Sequence, residues 1–232
     1  MKTIFLNELR LYFYSWLGWS AILILNIIAF LGFNAGAASY GKFNAFFEMM
    51  QMPLAWSILI VGARTLAKDR ELGLFNLFFT SPITLQQLLL GKFLALYVFF
   101  MLIVISLLFY PLITVLFIKI SWLSIVSGLL ALSLVLLLFC GITLFASAFA
   151  SNSLVAIVIG FGIWIFLALL GPISQGLGSS TFKILIENFA YTAHFDNIIS
   201  GVFGWDDLLF FIFSSCFFIK LSEAQILSQI AC

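Results

Sequence analysis

Long apolar runs, separated by short polar segments, occupy most of this chain. Crossing a lipid bilayer takes about 20 mainly apolar residues in a helix, and the chain has six candidate runs. They cover residues 15–33, 45–63, 93–117, 122–149, 154–171 and 208–221. The runs are continuously apolar, whereas the strands of a membrane barrel alternate between apolar and polar residues. The pattern therefore predicts an all-α integral membrane protein with six transmembrane helices.

The sixth run is shorter than the others, and two interpretations of it stay open. Its helix either extends backward through Trp205 towards Val202, or it has Lys220 at its inner end. In the second case the long lysine side chain reaches the headgroup region while its stem stays in the lipid.

Residues 1–14, which precede the first run, have the pattern of an amphipathic helix. They combine the charged Glu8 and Arg10 with apolar residues such as Leu9. A helix of this kind lies along the membrane surface. A cleaved signal peptide is the alternative, because residues 35–37 resemble a cleavage site. The apolar run is longer than the roughly 7–15 residues of a signal peptide, which favours the interfacial helix.

Charged side chains are concentrated between the second and third runs, in residues 64–92. The segment contains Arg64, Lys68, Asp69, Arg70, Glu71 and Lys92, in a chain of which only 8% is charged. Apolar residues such as Phe75 follow the charged cluster and give the segment one apolar side. One interpretation is an amphipathic connection that rests on lipid headgroups. The other is a short helix that inserts into a groove of a soluble partner protein.

The third run has a recognisable helix start in front of it. Pro82 lacks an amide hydrogen and restricts the residue before it, so it interrupts the backbone. Thr84 and Gln87 then have the spacing of a capping box. We therefore expect a helix that begins at Leu85 and enters the lipid near Phe93.

Residues 172–205 form the longest connection, with Pro172 and Gly176 as predicted breaks. The connection is too apolar for a free loop, and we expect short helices that dip into the outer leaflet. His194 and Asp196 are a candidate metal or proton site within it. A single imidazole offers too few ligands for a metal, so interfacial hydrogen bonding is the preferred interpretation.

Composition and charge narrow the class of protein further. The chain is 64% hydrophobic, whereas soluble domains are about 45–50% apolar. Its net charge of +1 does not provide the clustered lysines and arginines that bind nucleic acid. Cys140, Cys216 and Cys232 have no metal-ligand or disulfide spacing.

The distribution of lysine and arginine predicts the orientation, because these residues are more frequent on the cytoplasmic side. With six spans, both termini lie on the same side. With cytoplasmic termini, the cytoplasmic side carries Lys2, Arg10, Arg64, Lys68, Arg70, Lys92 and Lys220, and the outer side carries Lys42, Lys119 and Lys183. This bias predicts cytoplasmic termini and a cytoplasmic charged segment.

Few polar side chains occur within the spans, and each costs free energy unless it faces another helix or water. They are candidates for the lining of a pathway through the membrane: Asn26, Ser106, Tyr110, Ser133 and Thr143. No His-Glu-x-x-His motif and no serine or carboxylate pair with a base converges in the spans, so the sequence does not indicate an intramembrane enzyme. It also has no Gly-x-x-x-x-Gly-Lys-Ser/Thr loop that would bind a nucleotide.

Four stretches together resemble a known family. They are Leu66-Ala67-Lys68-Asp69-Arg70-Glu71-Leu72-Gly73-Leu74-Phe75-Asn76-Leu77-Phe78-Phe79-Thr80-Ser81-Pro82-Ile83, Leu90-Gly91-Lys92-Phe93, Glu8-Leu9-Arg10-Leu11-Tyr12-Phe13, and His194-Phe195-Asp196-Asn197 followed by Gly201. The chain resembles the permease subunits of type-2 ABC exporters, and is most similar to the subgroup associated with gliding motility and nitrous-oxide reductase maturation.

The resemblance implies an N-terminal elbow helix in residues 1–14, a cytoplasmic coupling helix from about Asp69 to Phe79, and re-entrant helices between the fifth and sixth spans. The coupling helix would sit in a cleft of a separate ATPase subunit, which would bind ATP and Mg while this chain binds no cofactor. The implied contacts with that subunit are Asp69, Arg70, Glu71, Leu72, Gly73, Leu74, Phe75, Leu77 and Phe78. A second permease copy or a paralogue would complete the transporter in the bacterial cytoplasmic membrane, surrounded by lipid.

One alternative function fits the same residues. A membrane scaffold or assembly factor would also present a docking segment to a soluble partner, without transport. The family tends to end with a basic tail, whereas this chain ends with residues 223–232, which include Glu223 and lack basic residues. We assign that terminus no role from the sequence.

Overall fold

The computed structural model describes residues 2–33, 43–73, 84–115, 122–176 and 181–230. Within these residues the chain forms α-helices and no strand. The helices are α1 (Lys2–Tyr14), α2 (Trp16–Gly32), α3 (Phe43–Gly62), α4 (Arg64–Glu71), α5 (Leu85–Leu107), α6 (Phe109–Val115), α7 (Trp122–Phe149), α8 (Ser153–Gly176), α9 (Thr181–Phe189), α10 (Tyr191–Ile199) and α11 (Trp205–Ile230).

Five helical stretches of the described chain are long and apolar enough to cross a membrane. They are Asn44–Glu71, Leu85–Ile113, Trp122–Phe149, Ser153–Gly176 and Trp205–Ser228. Helices α1 and α2 pass the same test as a pair that is bent by 67°, which brings the possible number of spans to six. The protein is therefore an all-α integral membrane protein, as the apolar runs predict.

The bend between α1 and α2 depends on close backbone contact. Ser15 begins α2, and its hydroxyl oxygen accepts a hydrogen bond from the Leu17 amide at 3.3 Å. A Cβ atom added to Gly18 would lie 2.1 Å from the carbonyl oxygen of Tyr12. Only glycine fits at this position without a shift of the backbone.

Helix α5 begins where the capping pattern predicts. The hydroxyl oxygen of Thr84 accepts a hydrogen bond from the Gln87 amide at 3.3 Å, and α5 starts at Leu85. The helix is interrupted at Leu108, three residues before Pro111. Proline has no amide hydrogen to donate to the carbonyl of the fourth residue before it, which is consistent with an interruption here. The predicted end of this span at residue 117 lies outside the described residues.

Two helix ends differ from the prediction. Helix α8 continues through Pro172 and ends at Gly176, so Pro172 does not break the helix, whereas the predicted break at Gly176 coincides with the end of the helix. A proline removes one backbone hydrogen bond, and membrane helices tolerate this loss when neighbouring groups satisfy the freed carbonyl. The last helix is also longer than the run 208–221, since α11 extends from Trp205 to Ile230. Its first turn contains Asp206 and Asp207, whose negative charges are favourable at a helix N-terminus.

Helix α7 is the centre of the bundle. It contacts α3, α4, α5, α8, α10 and α11. It is apolar all round, as expected for a helix surrounded by others. Side chains along its length are at most 1% exposed, namely Leu132, Val135, Leu136, Phe139 and Cys140. At Gly128 an added Cβ would lie 2.1 Å from the ring of Phe47, so glycine allows α3 to approach closely.

Helices α4 and α10 contact opposite ends of α7. Ser147 of α7 bonds to α4, whereas Ser127 of α7 donates a hydrogen bond to the carbonyl of Ile199 at the end of α10. The helical rise places Ser127 and Ser147 about 30 Å apart, which matches the thickness of a bilayer core. We call these two regions the α4 end and the α10 end of the bundle.

Helices α9 and α10 lie between the last two spanning helices, where short helices are predicted. All side chains of α9 are at least partly exposed, whereas α10 is buried through residues such as Phe195 and Ile198. The ring of Tyr191 at the start of α10 contacts Phe139, with centroids 5.5 Å apart. Phe139 lies well inside α7, so α10 penetrates the bundle from the α10 end.

Candidate functional site

Lys92 of α5 is a buried cation that joins three helices. Its side chain is 1% exposed, and its ammonium group forms ion pairs with Glu8 of α1 and with Asp69 of α4, the latter at 2.7 Å. It also donates a hydrogen bond to the carbonyl oxygen of Thr65 at 2.9 Å. Two of the three ammonium hydrogens have hydrogen-bond acceptors, in Glu8 and in the Thr65 carbonyl, and Asp69 adds a second carboxylate as an ion-pair partner. This pairing offsets the high cost of burying a charge.

The helical repeat explains why Lys92 is buried. Leu88 and Leu96 lie four residues before and after it, and they are 3% and 1% exposed. Residues four apart share one face of a helix, so Lys92 lies within the buried face of α5. A charge on such a face predicts a buried partner, but the sequence does not show which residue that partner is.

Arg70 binds the end of α7. Its two terminal nitrogens donate hydrogen bonds to the carbonyl oxygens of Ala150 and Ala148, at 2.6 and 2.8 Å. The last carbonyls of a helix have no partner within the helix and carry partial negative charge. The guanidinium group therefore caps α7 and attaches it to α4.

Glu71 binds the start of the next helix, α8. Its carboxylate accepts hydrogen bonds from the Ser153 amide at 2.7 Å and from the Ser153 hydroxyl at 3.1 Å. The first amides of a helix lack internal partners and favour a negative charge. The neighbouring residues Arg70 and Glu71 thus cap the facing ends of α7 and α8 with opposite charges.

The first turn of α4 is held by Ser147 of α7, which is fully buried. The Ser147 hydroxyl oxygen accepts hydrogen bonds from the amides of Leu66 and Ala67 at 2.9 and 2.8 Å. The same hydroxyl donates to the carbonyl of Ala63 at 2.9 Å. We call the contacts that Ser147, Lys92 and Ser153 make with α4, together with the ion pair of Lys92 with Glu8 and the bonds of Arg70 to the end of α7, the α4 anchor.

The α4 anchor uses three of the residues that the sequence assigned to a partner. Asp69, Arg70 and Glu71 all bind groups of this chain. They form the last turn of α4 and not the start of a separate helix. Gly73 ends α4 with a φ of 69°, the left-handed conformation that glycine adopts readily.

The remaining residues of the predicted coupling helix are placed as follows. Leu72 is 61% exposed and follows the last turn of α4. Leu74, Phe75, Leu77 and Phe78 lie outside the described residues, as does the rest of the segment up to residue 83. Their contact with a partner stays a prediction.

Three of the five candidate lining residues come together between α2 and the α5–α6 region. The side-chain amide of Asn26 donates to the hydroxyl of Ser106 at 3.4 Å. The hydroxyl of Tyr110 donates to the carbonyl of Asn26 at 3.0 Å. Each also lies close to other helices, so the group satisfies its polar atoms within the protein.

Ser133 and Thr143 do not belong to this group, because both lie on α7. The Ser133 hydroxyl donates to the carbonyl of Leu130 at 2.7 Å, and that of Thr143 donates to the carbonyl of Phe139 at 2.6 Å. Thr143 is 1% exposed, and its methyl group packs against Gly62 of α3. Thr143 therefore fills a contact between α3 and α7.

At the α10 end, His194 binds Asp207, a residue that the sequence did not select. The Nδ1 atom of His194 lies 2.6 Å from a carboxylate oxygen of Asp207, and its Nε2 atom lies 3.1 Å from the carbonyl oxygen of Asn188. Asn197 donates to the same carboxylate oxygen at 3.3 Å. Asp196, the predicted neighbour, is exposed. No group of three possible metal ligands occurs in the described part of the chain.

The end of α11 has a role that the sequence did not indicate. Glu223 accepts hydrogen bonds from the side-chain amide of Gln86 in α5 and from the ammonium group of Lys220, both at 2.8 Å. The C-terminal part of α11 is thereby attached to the first turn of α5. Lys220 is exposed, as expected for a lysine beyond the lipid core.

Residues 29–221 match the family model that is described as ABC-2 family transporter protein. The matched range contains α3 to α10, the last turn of α2, the larger part of α11, and every residue of the α4 anchor except Glu8. The chain belongs to the ABC-2 transporter family. This ABC-2 protein is thus a membrane-spanning permease component of an ABC transporter, in agreement with the coarser part of the resemblance. Among curated proteins, none matches the chain.

Proposed function

We propose that this ABC-2 protein is the permease subunit of an ATP-driven exporter, and that a separate ATPase subunit docks on the segment between α4 and α5. The α4 anchor is the observation that supports this proposal. The segment 74–83 connects Gly73, after the end of α4, to Thr84, at the start of α5. Lys92 joins the two flanking helices through Asp69, so the segment is attached at both ends to one connected unit.

The α4 anchor gives a route by which movement of the docking segment reaches the membrane helices. An ion pair and hydrogen bonds connect α4 directly to α5, α7 and α8, and Lys92 of α5 connects it through Glu8 to α1. A displacement of α4 must therefore move these helices or break polar contacts, of which those of Lys92 and Ser147 are buried. Because breaking buried pairs is costly, moving the helices together is the favoured response.

The division of labour follows from the sequence. The chain has no phosphate-binding loop, so ATP and Mg belong to the partner subunit, and this chain performs no ATP hydrolysis. A second permease copy or a paralogue completes the transporter. The permease lies in the bacterial cytoplasmic membrane with both termini in the cytoplasm. The motifs around Gly73 and Lys92 favour the gliding-motility and nitrous-oxide-maturation subgroup.

Co-expression with ABC ATPase subunits from the same cell tests this function. We expect one ATPase to co-purify with the permease and its turnover in nanodiscs to depend on the permease. Leu74→Asp should abolish association, because it places a charge on the apolar side of the docking segment. The control is Asn7→Asp, which adds the same charge at an exposed position of α1, away from the docking segment.

The alternative is a scaffold that binds a soluble partner without transport. Stable association with a partner that has no ATPase activity would favour the scaffold. An ATPase that associates with normal affinity to the Leu74→Asp variant would remove the assignment of the docking segment.

A further inference from the structure

Helix α11 runs beside α7 in the same direction and reaches the α4 end of the bundle. Asp207, in the first turn of α11, is bound at the α10 end. Further along, Phe218 lies beside Phe145 of α7, with ring centroids 5.9 Å apart. A Cβ atom added to Gly141 of α7 would lie 3.2 Å from the backbone of Ser215, so the two helices are in close contact there.

The register of these contacts shows that α11 is the longer helix at the α4 end. Glu223 follows Phe218 by five residues, and α7 ends at Phe149, four residues after Phe145, so Glu223 lies about level with the end of α7. Helix α11 continues to Ile230, and a rise of about 1.5 Å per residue takes it about 10 Å further. We call residues 222–230 the α11 projection.

The α11 projection lies outside the lipid. Helix α7 has 28 residues and is therefore about 42 Å long, close to the thickness of a bilayer with its headgroups. A helix that continues beyond the end of α7, along the same direction, extends away from the membrane and into water.

One side of the α11 projection is attached to the bundle. Glu223 accepts a hydrogen bond from the side-chain amide of Gln86 at 2.8 Å. Ile226 is 1% exposed and belongs to the hydrophobic core, and Ser222, four residues earlier on the same face, is fully buried. These contacts hold the projection at the first turn of α5.

The opposite side of the α11 projection is exposed. Leu227 is 52% exposed, and Ala224 and Ser228 beside it are exposed as well. Lys220, four residues before Ala224, extends the same face towards the membrane. An apolar side chain within a polar surround has the arrangement of a protein interface, which has an apolar centre and a polar rim.

The α11 projection stands beside both ends of the segment 74–83. Gln86, which binds Glu223, lies two residues after Thr84, where the segment ends. Gly73, where the segment begins, follows the end of α4, which is attached to the end of α7. A protein that docks on the segment therefore comes close to the projection.

We propose that the α11 projection is a second contact surface for the ATPase subunit, with Leu227 at its centre. This inference rests on the proposed function, because it takes the ATPase as the partner. Glu223 is a positioning residue that keeps the surface beside the docking segment through Gln86. The projection follows the range 29–221 that matches the family model, so the contact is a feature of this chain that the family match does not describe.

Photo-crosslinking of the permease and its ATPase in nanodiscs tests whether the two surfaces meet. The crosslinking amino acid p-benzoylphenylalanine replaces Leu227 in one variant. In the matched control it replaces Trp205, which is 81% exposed at the other end of α11. We expect a crosslink to the ATPase from position 227 and none from position 205. Crosslinks from position 227 to lipid alone would overturn the proposal.

The affinity of the purified ATPase for the permease in nanodiscs measures the contribution of Leu227. Leu227→Asp should weaken binding about tenfold, as the loss of one well-packed apolar contact does. Its unfolding by denaturant should be unchanged, because the side chain is exposed. Asn7→Asp adds the same charge on α1 and should bind the ATPase normally. Unchanged affinity of Leu227→Asp, or an equal loss in the control, would overturn the proposal.

Comparison with Leu74→Asp separates this inference from the proposed function. Lost association in Leu74→Asp with normal affinity in Leu227→Asp would leave the docking segment in place and remove the α11 surface. The opposite result would keep the α11 surface and remove the docking segment. A permease that binds no ABC ATPase of the same cell would overturn the proposed function and this inference together.

Discussion

Lys92 and Asp69 form an ion pair of 2.7 Å that links α5 to α4 on either side of the predicted docking segment. The lysine is buried, so the pair is shielded from the water and salt that weaken surface ion pairs. Glu8 of α1 forms a second ion pair with the same lysine. Glu8 and Lys92, which are 84 residues apart in the sequence, therefore meet at one ammonium group.

Replacement of Lys92 by methionine should destabilise the protein strongly. The substitution keeps a similar shape but leaves the carboxylates of Glu8 and Asp69 without their cation. Breaking a buried ion pair by removing one partner costs about 3–5 kcal/mol. We expect a loss towards the lower end, because both carboxylates are 15% exposed and retain some water. Unfolding of the purified protein by denaturant in detergent measures the effect.

The control for this prediction neutralises all three groups. Lys92→Met combined with Glu8→Gln and Asp69→Asn should recover most of the lost stability, since no unpaired charge remains. If the triple variant is as unstable as Lys92→Met, the loss comes from packing and not from charge.

Arg70 should be more important for coupling than for the association of a partner. Arg70→Lys keeps the positive charge but cannot donate to both Ala148 and Ala150 in the same forked geometry. We expect the ATPase to remain bound while permease-dependent ATP turnover falls, because α4 is less firmly attached to α7. The expected loss of stability is about 1–2 kcal/mol.

Measuring both ATP turnover and the amount of ATPase pulled down with the permease, on the same preparations, separates an effect on coupling from an effect on association. Arg10→Lys on α1 is a suitable control, because Arg10 is exposed and lies outside the α4 anchor. Loss of association together with turnover would show that Arg70 contacts the partner directly, as the sequence first suggested.

Gly18 should not accept a side chain. In Gly18→Ala the new Cβ atom would meet the Tyr12 carbonyl oxygen at 2.1 Å, and a backbone atom cannot move aside as a side chain can. We expect a loss of about 1–3 kcal/mol or a smaller bend between α1 and α2. Gly162→Ala is the matched control, since nothing lies within 4 Å of its Cβ position and alanine favours a helix. Thermal unfolding of both variants provides the comparison.

The spanning helices could be predicted from the sequence because lipid imposes a simple length requirement on apolar runs. The helix α7 covers 122–149, the predicted range, and α5 starts at its predicted cap. Pro172 was misleading because a proline costs a helix one hydrogen bond and does not always end it. Local rules thus give the elements but not every boundary.

The contacts of the candidate site were beyond local rules. Glu8 and Lys92 are 84 residues apart, and Ser147 and Ala63 are also 84 apart, so only the packing of the helices brings them together. The position of Lys92 on the buried face of α5 was the one indication in the sequence. A charge at that position indicates a buried partner, but the sequence does not show which residue the partner is.

The His194 site shows how sequence proximity misleads. Residues two apart on a helix point in different directions, so Asp196 does not face His194 even though it is close in sequence. Asp207 lies 13 residues away and begins the next helix, yet its carboxylate is 2.6 Å from the imidazole. A double-mutant cycle with His194→Gln and Asp207→Asn should therefore show a coupling free energy of about 0.5–3 kcal/mol.

The same cycle with Asp196→Asn in place of Asp207→Asn is the matched control. It removes an equal charge from the same helix as His194, and it should give a coupling free energy near zero, because the two side chains do not share a contact. Both nitrogens of His194 face oxygen atoms, so the imidazole attaches α10 to the end of α9 and to α11 at once. Comparable coupling in the two cycles would mean that a diffuse charge effect, and not the bond to Asp207, connects α10 to α11.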